Sequence, residues 1–147
     1  MNRAEKAQDL FMNKGFKWSQ AVLEVFRERY DIKEEVAKKI TAPFAGGSGE
    51  DGFCGAISGA YMVIGLERGS SDLDNSDAFK DVLSKIETIS ETFRDKNETI
   101  KCVDLIGVEV FTEEGFEDFK RENIKETKCS GFVSEIVKRL EEILSLE

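Results

Sequence analysis

Ala4, Ala7, Leu10 and Phe11 recur at the three- and four-residue spacing of one helix face, and the polar residues between them predict a short amphipathic helix. Asn13, Lys14 and Gly15 should end it. Ala21, Val22, Val25, Phe26 and Tyr30 repeat the pattern on a second helix, with Ser19 as its expected N-cap. A third stripe, Val36, Ala37, Ile40 and Phe44, should stop at Pro43, the chain's single proline, whose ring cannot continue a helix. Between residues 45 and 53, Gly46, Gly47, Gly49 and Gly52 abolish the periodicity, and a loop is expected.

Residues 54–66 are almost uncharged, which predicts a helix buried on most sides. Gly55 with Gly59, and Ala56 with Ala60, fall one turn apart and leave a shallow groove in which another backbone can lie close. Gly65 and Gly69 are expected to close this helix. Phe79, Val82, Leu83, Ile86, Ile89 and Phe93 then form a one-sided stripe on a surface helix of roughly 18 residues starting near Ser76. Cys102, Leu105 and Ile106 mark a short turn ended by Gly107, and Phe116 with Phe119 mark another short helix. The last helix runs from about Ser130 through Val133, Ile136, Val137, Leu140 and Leu144. Residues 108–111 are an extended candidate with nothing to pair against. The expected fold is therefore all-α, a single-domain bundle over residues 1–147 with the 54–66 helix at its centre.

Length and charge narrow the function. A chain of 147 residues can bury a core without help from a metal or disulfide. With 21 Lys and Arg against 30 Asp and Glu, the net charge of −9 speaks against a nucleic-acid partner. Histidine is absent, which removes Ser-His-Asp and Cys-His catalytic pairs and the commonest metal ligand. No apolar run approaches 18 residues and no secretion signal opens the chain, so membrane insertion is not expected and a cytoplasmic location is. There the thiols should stay reduced.

The candidate chemistry lies in Cys54, Cys102 and Cys129. Their separations of 48 and 27 residues fit no local metal or haem motif, so any joint site must be assembled by the fold. Each opens an apolar segment near an expected helix start, where unpaired N–H groups favour thiolate, and Lys101 and Lys128 stand beside two of them. Three buried, inert thiols are the plain alternative. Gly46-Gly47-Ser48-Gly49 lacks the lysine and the preceding strand of a phosphate loop, and a tight turn letting two helices cross is expected instead. Paired acids such as Glu34-Glu35, Glu113-Glu114 and Glu141-Glu142 point apart on a helix and read as solvated faces. Tyr61 either satisfies its hydroxyl in the core or donates toward the cysteines.

Gly15-Phe16-Lys17-Trp18-Ser19-Gln20-Ala21-Val22, Phe44-Ala45-Gly46-Gly47-Ser48-Gly49, Cys54-Gly55-Ala56-Ile57-Ser58-Gly59-Ala60 and Cys102-Val103-Asp104-Leu105-Ile106-Gly107, with Cys129 beyond, resemble the C-GCAxxG-C-C family of redox-active proteins over nearly the whole chain. The resemblance implies a small cytoplasmic redox or metal-binding protein whose cysteines act together. The cysteine-bearing part of split-Soret cytochromes c is similar, which implies that four thiolates hold an iron–sulfur cluster; no haem motif occurs here. Cys54, Cys102 and Cys129 match the family's second, third and fourth cysteines, as redox residues or as metal ligands. Trp18 stands where the first would be.

That departure leaves three readings. The three thiolates and an outside ligand hold an iron–sulfur cluster or other soft metal; or two of the thiols cycle through a disulfide; or the protein has kept the fold as a non-catalytic helical binding module. A redox partner protein and a homo-oligomer are the partners these readings admit.

Overall fold

The structure, a computed structural model, describes residues 1–146. Eight α-helices follow one another among the described residues: α1 (Arg3–Asn13), α2 (Trp18–Glu24), α3 (Glu34–Thr41), α4 (Gly55–Arg68), α5 (Ser76–Asn97), α6 (Cys102–Ile106), α7 (Glu113–Arg121) and α8 (Ser130–Ile143). No strand forms among these residues, and the only β-type pairing there is an isolated antiparallel bridge between Phe53 and Lys101. The fold is all-α. No described helix is long and apolar enough to cross a membrane.

α4 occupies the centre, packed by α2, α5 and α8, while α1 lies along α8. Ala56, Ile57, Ala60, Val63 and Ile64 of α4 are wholly buried. Its small-residue face receives α2: a Cβ on Gly59 would stand 3.1 Å from both the Val22 Cβ and the Ser19 carbonyl oxygen. One hydrophobic cluster joins α4 to Phe11, Val22, Phe26, Phe93, Val133 and Leu140.

Several expectations about individual elements need correcting. Ser19 is not the N-cap of the second helix. That place is taken by Lys17, and Ser19 lies in the first turn, where its hydroxyl donates to the Thr41 carbonyl at 2.8 Å and ties α2 to the end of α3. The second helix also stops at Glu24, followed by a 3₁₀ turn over Arg27–Tyr30. α3 ends before Pro43 as expected, yet Val36, Ile40 and Phe44 face solvent, Ile40 being 56% exposed. The helix meets its neighbours through Ala37 and Thr41, whose small side chains allow close approach. Gly65 does not end α4, which continues to Arg68 and is capped by Gly69.

α5 begins at Ser76, with the Asn75 side chain accepting from the Ala78 N–H at 3.0 Å. Its stripe is fully buried only near the C-terminal end, at Ile89 and Phe93; Val82 and Ile86 are partly buried against the core, and Phe79 is 63% exposed. The last helix starts earlier than Ser130, since a π-helical turn over Lys125–Cys129 runs directly into α8.

Candidate thiol site

The glycine loop and the Phe53–Lys101 bridge bring distant cysteines together. The Cys54 N–H donates to the Ile100 carbonyl at 2.7 Å and the Cys102 N–H to the Gly52 carbonyl at 3.1 Å, so the two bonds frame the bridge. Because side chains alternate across extended backbone, Cys54 and Cys102 share the side opposite Phe53 and Lys101. Each then opens a helix, Cys54 as the N-cap of α4 and Cys102 as the first residue of α6.

Gly47 seats the loop on this pair. Its φ of +73° suits glycine, and an added Cβ would stand 2.9 Å from the Gly52 carbonyl oxygen and 3.1 Å from the Cys102 Cβ. The Gly52 N–H closes the loop by donating to the Gly47 carbonyl at 3.0 Å. At Gly47 and Gly52 backbone passes where a side chain would collide.

Cys129 reaches the site from the other end of the chain, in the π-helical turn before α8, and does not stand at a helix start. Trp18 meets it there. The indole N–H interacts with the Cys129 sulfur, the Trp18 Cβ presses on Gly55 at the head of α4, and its ring contacts Phe11 and Phe119 at centroid distances of 5.5 and 6.3 Å. Trp18 therefore fills the space between two cysteine-bearing segments.

All three cysteines are free and buried. The expectation that they favour thiolate is overturned. Burial pushes Cys54 and Cys102 up to about 12 and Cys129 up to about 11, from an ordinary value near 9. The N–H groups of Ala56 and Ile57 pull Cys54 in the expected direction, but the cost of desolvating an anion outweighs them. Lys101 turns instead to Asp51, at 3.4 Å, and at Cys129 the lowering by Lys128 is opposed by Glu126. The thiols also act on one another: negative charge on Cys102 or Cys129 raises Cys54, and charge on Cys129 raises Cys102. Three residues distant in sequence form one electrostatic group.

Tyr61 is not a member of that group. Its hydroxyl shares a 2.5 Å hydrogen bond with Ser90 Oγ on α5, which satisfies it within the core. The sequence pattern had not marked Phe11 and Phe119 as neighbours of the site, because as apolar residues on helix stripes they carry no signal beyond burial.

The donor set does not fit an iron–sulfur cluster. Such clusters normally take four thiolates; the chain has three cysteines and no histidine, and the indole that replaces the fourth ligand offers a donor N–H whose lone pair belongs to the aromatic ring and cannot bind a metal. Among the described residues no group of three or more His, Cys, Asp or Glu side chains is arranged to hold a metal ion. What the arrangement offers is three protonated sulfurs, two of them fixed by backbone hydrogen bonds on either side of one bridge.

A family model described as "Putative redox-active protein (C_GCAxxG_C_C)" matches residues 16–143. No curated protein and no solved structure matches the chain. The chain belongs to that family.

Proposed function

From family membership and the clustering of its thiols, we propose that this protein is a thiol redox protein of the reducing cytoplasm, in which Cys54 and Cys102 form the exchanging pair. The observation that carries the reading is the pair of hydrogen bonds framing the Phe53–Lys101 bridge, which ties the two cysteine backbones to one another's segments. In the reaction, a disulfide of a partner protein or small molecule takes two electrons and two protons from the Cys54 and Cys102 thiols. One S–S bond forms in this chain, one breaks in the partner, and two partner thiols are released. Cys129, whose sulfur interacts with Trp18, stays protonated beside the pair.

The high thiol pKa values favour a second reading, a helical binding protein that has kept the fold and lost the exchange chemistry. One experiment separates them. The folded protein is equilibrated with an excess of oxidised glutathione, free thiols are blocked with N-ethylmaleimide, and the disulfides are mapped by peptide mass spectrometry. A Cys54–Cys102 disulfide formed reversibly in the parent and lost in Cys54→Ser and Cys102→Ser supports the redox reading. Three blocked thiols in the folded parent, alongside disulfides in the urea-unfolded chain, would establish the binding reading instead.

A further inference from the structure

Trp18 also lines a cleft of about 190 Å³. Phe11, Trp18, Phe116 and Phe119 supply its aromatic wall, and Lys17 and Lys125 stand among the lining residues. The rings form a continuous chain: Trp18 contacts Phe11 and Phe119, and Phe119 stacks on Phe116 with centroids 6.4 Å apart and planes 18° from parallel. Phe116 is 46% exposed, so the wall leaves apolar surface in water that an occupant would cover.

The charge of the cleft runs against that of the molecule. In a chain of net charge −9, no Asp or Glu lines it. Lys17 and Lys125, like several other lysines of the chain, enter no ion pair among the described residues, whereas Lys120, whose ammonium lies over the Phe116 ring, holds Glu117. Lys125 Nζ lies 5.1 Å from the centroid of the Phe11 ring, which keeps the cation beside the aromatic wall. The adjoining hollow beneath the glycine loop, by contrast, carries Asp51 and Glu109.

We propose that this cleft is a binding site for a small aromatic carboxylate, its ring laid against the exposed part of Phe116 and over the little of Trp18 and Phe119 that reaches the surface, and its carboxylate held by Lys17 and Lys125. The size suits one ring with a short acidic substituent, since an apolar cavity of roughly 150 Å³ accepts benzene. Two cations without carboxylate partners select an anion over its neutral counterpart. The cleft shares Trp18 with the thiol site, but no cysteine lines it, and the proposed ligand touches none of the three sulfurs.

The chain's single tryptophan reports on the cleft directly. Fluorescence of the reduced protein is titrated with phenylacetate and, in parallel, with phenylacetamide, which keeps the ring and removes the charge. A saturable change with phenylacetate is expected, with the amide and the Lys17→Met/Lys125→Met double variant each about tenfold weaker. Both lysines are surface residues, and circular dichroism verifies that the variant is folded. Absence of a saturable change up to about 10 mM phenylacetate, equal binding of the amide, or undiminished binding by the folded double variant would each overturn the proposal. None of these outcomes bears on the disulfide reading, which has its own test.

Discussion

Gly55 lies so close to Trp18 that a Cβ on the glycine would stand 2.8 Å from the Cβ of the tryptophan. The same added atom would meet the Phe44 carbonyl oxygen at 3.2 Å and the Ala45 Cα at 3.3 Å. These neighbours are backbone or backbone-anchored atoms, so α4 would have to move away from both α2 and the glycine loop. Gly55→Ala is expected to lower stability by about 1–3 kcal/mol. At Gly131, in α8, nothing lies within 4 Å of an added Cβ, and Gly131→Ala should stabilise by about 0.5–1 kcal/mol through helix propensity alone. Thermal melting of the two variants should move in opposite directions; a shared sign would show that the crossing is not as tight as described.

The second contact in that crossing is testable at Gly59. Its added Cβ already meets Val22 and Ser19 at 3.1 Å, and a leucine would drive α4 and α2 apart. Gly59→Leu should cost about 1–3 kcal/mol or more, read from urea denaturation. Ser19→Ala probes the same interface more gently. It leaves the buried Thr41 carbonyl without the hydroxyl that donates to it, at a cost of about 1–3 kcal/mol.

The raised thiol pKa values make stability depend on alkaline pH. Between the ordinary value near 9 and the folded values of about 11 to 12, the unfolded chain loses thiol protons that the folded chain keeps. The folded state binds more protons in that window, so stability is fully present below pH about 9 and falls as pH rises through it. Each thiol contributes a slope of at most about 1.4 kcal/mol per pH unit. Urea denaturation from pH 8 to 10.5 should show this decline, and Cys54→Ala should flatten it. Iodoacetamide should accordingly alkylate the folded protein far more slowly at pH 7 than the unfolded chain.

Trp18 governs what the site can hold. Replacing it with cysteine removes a buried indole and should cost about 3–5 kcal/mol in the protein without added metal. Reconstituted anaerobically with iron and sulfide, the parent is expected to retain no stoichiometric iron, because its fourth corner presents an N–H donor. Iron uptake by Trp18→Cys alone would identify the indole as the block. Stoichiometric uptake by the parent would refute the argument from the donor set.

Periodicity alone determined most of the helical architecture. The stripe at Ala4, Ala7 and Phe11, the uncharged run after Cys54 and the stripe from Val133 to Leu140 each place apolar side chains on one helix face, and burying that face is the dominant gain on folding. The family was legible for a related reason: Gly55 and Gly59 are required by a backbone contact, and such contacts leave a mark on residue type. Tertiary structure decided the rest. Val36, Ile40 and Phe44 have a helical spacing that does not say whether a partner surface exists, and none covers them in the folded chain. The thiols show the same limit more sharply. From sequence, a helix start and a neighbouring lysine favour thiolate, but the protonation state follows from desolvation, which depends on everything packed around the sulfur. That packing is assembled by the glycine loop, the Phe53–Lys101 bridge and Trp18, and only the fold brings these together.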